Sequence, residues 1–309
     1  MNRLSVFLLS VLFGSTLFTP ARGQELPFGI VRLGSGNILG SGTGVLVGPQ
    51  HILTAAHNLG KSASSLLNFG GPMNGGAPPY TEVVGVLQSG GSVRELRVEI
   101  VSVSLFPKTF FSNGKRPKGE NEGDRFAHTI EVGDFAVLQL RDPIEIPRGT
   151  KLPQIVVEEI NENEELVVGG FGRRTSIIHR QSNYVHALAG FGSLRNPFAY
   201  DGAKSFKKQS KVAVEILNRS HKDFVLAHGD SGGPVLQKRG NQFYIRGVIH
   251  AEPAAPESNL AGFAHIFRPA YKEVVSWLKS VLPQEAFLTS STSHSSCADE
   301  TGKMKVKRK

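Results

Sequence analysis

Apolar residues in this chain come in short runs separated by turn residues, and several runs alternate apolar with polar positions. In the first half these are FGIVRLG, GTGVLVG, HILTAAH, TEVVGVLQ, SVRELRVEIVSVSLF and DFAVLQL. After residue 150 come QIVVEEI, ELVVGGFG, NYVHALAGFG, KVAVEIL, QFYIRGVIH and LAGFAHIF. Their length and their Val, Ile, Leu and Phe content are those of strands. A helical period is clear only near the end, in RPAYKEVVSWLKSVL, where Tyr271, Val274, Val275 and Leu278 share one face. Strands do not alternate with helices, which argues against a parallel sheet.

The runs fall into two sets, joined by a proline- and arginine-containing connection at 142–151. The pattern predicts an all-β chain, sandwich or barrel, in two sequential six-strand units over 24–150 and 151–283, the second with the closing helix. Segments 69–80, 108–128 and 193–210 read as surface loops. Residues 284–309, Ser/Thr-rich and then basic, read as a disordered tail.

The first 23 residues change the picture of where the chain goes. Arg3 precedes an apolar stretch at 4–18, and Ala21 and Gly23 are spaced as a cleavage site before Gln24. This is the pattern of a cleaved secretory signal, and the stretch is short for a membrane anchor. A secreted or periplasmic protein is expected. Cleavage removes Arg3 and Arg22 and no acid, so the net charge falls from +9 to +7. Much of the remainder sits in the GKMKVKRK tail, a solvated end rather than a specific nucleic-acid site. With Cys297 the only cysteine, no internal disulfide can form, and the core must hold by burial.

Candidate chemistry begins at LAHGDSGGPVL, residues 226–236. Its composition is that of a turn. Its serine attacks a carbonyl only if a base takes the proton, and the base works best when an acid orients it. HILTAAHNLG places His57 just after a strand, in a turn of small residues. VGDFAVLQL places Asp134 at the start of an apolar strand, where a charge is costly without a partner. The serine stretch also fits G-x-S-x-G, but that elbow needs a helix next, and Gly232, Gly233 and Pro234 prevent one.

These blocks resemble the chymotrypsin/trypsin family of serine proteases. LTAAHN is similar to the family's histidine block, GDFAVLQL to its aspartate block and GDSGGPV to its serine block, in the family's order. GSGTGVLVGPQHILTAAH, VVGGFGR and GFAHIFRPAYKEVVSWL extend the resemblance over about residues 27–283. It implies two six-stranded antiparallel Greek-key barrels with a C-terminal helix. It also implies a catalytic triad of His57, Asp134 and Ser231, with an oxyanion hole formed by the N–H groups of Gly229 and Ser231.

The same resemblance assigns a substrate pocket to Val225, Leu226, His228, His250, Glu252 and Gly262. Val225 stands at the floor, where trypsin-like members carry an aspartate, so strict Lys/Arg cleavage is disfavoured. His250 is similar to the carboxylate-binding histidine of bacterial glutamyl endopeptidases, or else is a wall or core histidine beside an apolar pocket. The chain departs from the family in lacking its disulfides, with Asn58 where a cysteine follows the histidine, and in lacking its Ile-Val-Gly-Gly activation sequence. Asp230 then needs either an amine from a different cut or an Arg or Lys in that amine's place, since a buried, unpaired aspartate is costly.

The expected function is a secreted serine endopeptidase of apolar or acidic specificity, monomeric, with no cofactor, metal or membrane span. Its expected partners are polypeptide substrates and protein inhibitors. The acidic runs at 119–124 and 158–165 read as solvated surface rather than calcium loops. The rival reading is a catalytically silent binding protein on a protease fold.

Overall fold

Each apolar run of the first half becomes a strand in the computed structural model, which describes residues 26–34, 39–62, 80–89, 91–107, 133–159, 166–172, 188–195, 213–218, 226–251 and 260–288. The strands are β1 (Ile30–Leu33), β2 (Gly42–Gly48), β3 (His51–Thr54), β4 (Tyr80–Leu87), β5 (Val93–Leu105) and β6 (Ala136–Leu140). They close into a barrel in the order β1-β2-β3-β6-β5-β4, and every pairing in it is antiparallel.

The second half supplies β7 (Gln154–Ile155), β8 (Leu166–Gly170), β9 (Leu188–Arg195), β10 (Ala213–Asn218), β11 (Pro234–Arg239), β12 (Gln242–Ala251) and β13 (Leu260–Ile266). Pairing of β11 with β12 closes six of them into a second ring, β11-β8-β9-β10-β13-β12, with β7 added in parallel to β12. One α-helix, α1 (Lys272–Val281), follows. The fold is therefore the all-β, two-barrel, chymotrypsin-like arrangement.

Side-chain alternation explains why so many strands are apolar at nearly every position. Successive residues of a strand point to opposite faces. Val31, Leu46, Ile52, Ala136 and Leu138 fill the first barrel, while Val168, Val235, Ile249, Ala264 and Ile266 fill the second. Their neighbours Ile30, Val45, Leu53, Val137, Val167, Leu236 and Val248 face outward into a third core between the barrels, where α1 adds Val274 and Leu278. Strands of both barrels are thus buried on two faces, and continuous apolar runs are what such strands require.

QIVVEEI behaves differently from the other runs. Only Gln154–Ile155 pairs as a strand, and the sixth strand of the second barrel is β11, directly after the serine turn. The Val156 N–H still bonds the Ile245 carbonyl of β12, and beyond it a side chain takes over from the sheet. The guanidinium of Arg246, fully buried in β12, donates to the carbonyls of Glu158 and Glu159. The Glu158 carboxylate is ion-paired with Arg239, so the start of the acidic run is tied down rather than simply solvated.

The C-terminal boundary also shifts. The chain stays packed past 283, with a 3-10 turn at Gln284–Ala286 and a bridge from Phe287 to Ile155. Ala286 and Phe287 are apolar enough to join the inter-barrel core. The signal segment, nearly all of the three insertions, Cys297 and the rest of the tail lie outside the described residues.

Leu278 is fully buried where α1 meets both barrels. Leu278→Ala is expected to lower unfolding free energy by about 3 kcal/mol through lost burial and the cavity left behind. Urea unfolding of the mature protein measures this.

Candidate active site

The pairing of β3 with β6 sets Thr54 opposite Ala136, so the turn after one strand meets the loop before the other. His57 lies in that turn, a 3-10 segment at Ala56–Ser62, and Asp134 lies in that loop. Oδ1 of Asp134 accepts the backbone N–H of His57 at 3.0 Å, and Oδ2 faces His57 Nδ1 at 2.5 Å. A carboxylate only accepts, so Nδ1 carries the proton. The Asp134 side chain is wholly buried, whereas a third of the His57 side chain is exposed. The acid is shielded and the base can be reached.

Behind the pair stands an aromatic wall. Phe135 meets Phe106, Phe267 and His265 with ring centroids 6.2, 5.6 and 5.3 Å away. Trp277 of α1 closes on Phe106 at 5.6 Å.

Ser231 comes from the other barrel, and its position is set by the first. Its carbonyl oxygen accepts the Thr43 N–H of β2 at 2.9 Å and the Asn58 side-chain amide at 2.6 Å. Asn58 is the residue after His57, so His57 and Ser231 share one anchor. Thr43 Oγ1 donates to the Gly229 carbonyl at 2.7 Å and accepts the Phe171 N–H at 2.9 Å. Thr54 Oγ1 donates to the Thr43 carbonyl at 2.6 Å and accepts from Asn58 Nδ2 at 3.1 Å. The loop fits only without side chains at its turns. Gly229 and Gly232 have φ of 100° and 84°. A Cβ on Gly232 would overlap Thr43 O, Thr54 Oγ1 and Asn58 Nδ2.

Asp230 is buried among backbone donors. Oδ1 accepts the Gly172 N–H at 2.6 Å and Oδ2 the Ala227 N–H at 2.9 Å. Its carboxylate occupies the space that side chains at positions 170 and 172 would need. No described residue accepts a hydrogen bond from the N–H of Gly229 or of Ser231. The Ser231 hydroxyl donates to the His250 carbonyl at 3.1 Å.

The residues assigned to the pocket differ in exposure. Val225 and Glu252 lie outside the described residues. Leu226 packs in the interior of the second barrel, Gly262 is buried and His228 is exposed. His250 is 5% exposed, and its Nδ1 faces Asp134 Oδ2 at 3.0 Å. The ring that sequence reading set in the pocket wall is engaged with the acid, because Ile249 takes the inward face of β12 and His250 the opposite one. Asn58, Thr43 and His265 were not foreseen as site residues. The signal for Asn58 was its place after His57 in a chain without disulfides.

Electrostatics follow from this packing. Burial pulls the His57 imidazole down, but the charge and hydrogen bond of Asp134 outweigh it and leave the pKa raised. Burial pushes Asp134 up, yet His57 and His250 together hold it well below the usual carboxylate range. Burial holds His250 down despite Asp134, and His265 well down. Among the described residues neither ring nitrogen of His265 has a hydrogen-bond partner. His57, Asp134 and His250 bring three ligating atoms within 4.8 Å of one another, a donor set that would suit a transition-metal ion. Those atoms are committed to one another by hydrogen bonds.

A family model described as a trypsin-like peptidase domain matches residues 42–243, a span that contains His57, Asp134 and Ser231. The structure is similar to that of neuropsin, a serine protease expressed in the limbic system of mouse brain. The two are 17% identical with a TM-score of 0.51, over 81% of this chain and 92% of that one. At that identity the likeness speaks for the fold. No curated protein sequence matches the chain.

Asn58→Ala removes the amide that holds the Ser231 carbonyl, and a stability loss of about 2 kcal/mol is expected in urea unfolding. A second expectation concerns pH. The unfolded chain takes up protons near pH 6.5 that His265, buried and neutral, refuses. Stability tied to this residue is therefore present above that pH and is lost as pH falls below it, by up to about 1.4 kcal/mol per unit. Between about pH 7.5 and about pH 5, the wild type should lose stability relative to His265→Val. Parallel unfolding curves across that range would contradict it.

Proposed function

The chain belongs to the trypsin-like peptidase family, and from that premise we propose that it is a serine endopeptidase working through Ser231, His57 and Asp134 and an acyl-enzyme. The observation that carries the proposal is the anchor shared by base and nucleophile. Asn58 ties the Ser231 carbonyl to the turn that holds His57, and Asp134 grips that turn through both its backbone and its imidazole.

In the proposed reaction the Ser231 Oγ attacks the scissile carbonyl while His57 Nε2 takes its proton. Asp134 keeps the imidazole in the Nδ1–H form and stabilises the imidazolium. The oxyanion of the tetrahedral adduct accepts from the N–H groups of Gly229 and Ser231, which have no competing acceptor among the described residues. His57 returns the proton to the leaving amine, and water repeats the sequence on the acyl-enzyme. The Ser231 hydroxyl rests on the His250 carbonyl, and in the proposed reaction it turns from there towards His57. Catalytic hydrogen bonds often tighten only when substrate binds.

Export by the N-terminal segment, with cleavage before Gln24, belongs to the same reading. So does a preference for apolar or acidic residues before the cleaved bond, since Val225 supplies no charge to attract Lys or Arg. The proposed working unit is a monomer of two barrels, divided near residue 150, acting on polypeptides.

A fluorophosphonate should label the mature protein at Ser231. Ser231→Ala should abolish labelling, and Asp134→Asn should reduce peptide hydrolysis by about 10⁴-fold. Because the His57 pKa is raised above 6.5, kcat/KM should climb with pH on an acid limb centred above that value. Peptide scanning then separates apolar from acidic preference. A folded protein that fails to label would point instead to a binding protein on this fold.

A further inference from the structure

We propose that His250 is a positioning residue that aligns the acid and the nucleophile from one point on β12: its imidazole holds the Asp134 carboxylate and its backbone carbonyl docks the Ser231 hydroxyl. This rests on the reading of Asp134, His57 and Ser231 as the reacting groups.

The geometry is specific to this chain. Asp134 Oδ2 accepts from two imidazoles, His57 Nδ1 at 2.5 Å and His250 Nδ1 at 3.0 Å, while Oδ1 takes the His57 N–H at 3.0 Å. Both rings must therefore present Nδ1–H, and both bonds need the carboxylate ionised. The His250 backbone is clamped to the serine loop, since Gly232 N–H donates to the Ile249 carbonyl at 2.7 Å and Ile249 N–H to the Gly233 carbonyl at 2.8 Å. The carbonyl that receives the Ser231 hydroxyl at 3.1 Å is thus fixed relative to the nucleophile.

The titratable groups packed around His250 come from three elements. His57 lies edge-on at 5.8 Å from the turn after β3, Asp134 lies before β6, and His265 on β13 packs at 4.7 Å. Protonation of His250 would set a second positive charge beside His57 at the step where His57 takes a proton. Burial keeps it neutral. A neutral donor on Oδ2 shares the carboxylate's electron density without that repulsion. It leaves Asp134 oriented but less strongly basic towards His57.

Removing this donor has a signed consequence. With Oδ2 turned wholly to His57, the imidazolium is better stabilised and the His57 pKa rises. His250→Phe, which keeps a ring and removes the donor, is expected to raise the His57 pKa by about one unit. It should lower kcat by about tenfold or more at neutral pH, with KM little changed. His250→Asn places an amide N–H near Nδ1 and should restore both towards wild type.

The experiment is a ring-¹⁵N NMR titration of the mature protein and the two variants, with fluorophosphonate labelling of the same samples. In wild type, His250 should appear as the Nδ1–H tautomer and stay neutral through the His57 titration. An Nε2–H tautomer at His250, or a His57 titration in folded His250→Phe that matches wild type, overturns the inference. The tautomer is read in wild type, so the test survives if a variant fails to fold. Ser231-dependent labelling reports separately on the protease reading. Labelling with an unmoved titration sinks the role of His250 alone, and a moved titration without labelling sinks the protease reading, leaving of the inference only the His250–Asp134 hydrogen bond.

Discussion

The hydrogen bonds on the Ser231 carbonyl are the constraint on which this molecule depends. Ser231 and His57 sit on different barrels, so their relation is only as good as the joint between the barrels. At that joint the first barrel supplies a main-chain N–H from Thr43 and a side-chain amide from Asn58, both to one oxygen. Thr43 and Thr54 fill the remaining valences around it. The threonine bonds are buried and the Asn58–Ser231 bond partly so, and there an unmade partner costs more than the bond itself contributes. A serine loop that shifted by an ångström would leave several donors unsatisfied together, and this cooperation holds one geometry.

Packing supports the same seam. Alternate residues of β1, β2, β8, β11 and β12 divide between a barrel interior and the core shared by both barrels. Neither barrel can open without exposing part of that shared core, to which α1 also contributes. Asp134, beside Phe135, and His250, one residue past Ile249 from Val248, lie at its rim. The acid is dry because the seam is dry, and His57 remains accessible because it stands at the edge.

Much of this was legible along the chain. His57 and Asp134 were marked by polar groups at the ends of apolar runs, and β3 and β6 do bring those ends together. The two-barrel division followed from two sets of runs. What the pattern could not carry was the third dimension of the seam. QIVVEEI has a strand's composition, but beyond Val156 its Glu158 carbonyl, like that of the following Glu159, is claimed by the buried Arg246, a long-range partner that no local window contains. His250 was placed in a pocket wall because its neighbours fit one, yet which face a residue takes near an irregular register, such as the one between Ile249 and Ala251, depends on pairing partners. Asn58 looked like a missing cysteine and is a hydrogen-bond donor to the opposite barrel.

That last substitution sets how the molecule responds to its surroundings. A joint made of amide, hydroxyl and peptide groups has no reduction potential. Reducing thiols act on cystine and oxidants on cysteine, and among the described residues there is neither for them to act on. The alignment of Ser231 with His57 is therefore indifferent to the redox state of its compartment, and it forms as soon as the chain folds, with no oxidation step to wait for.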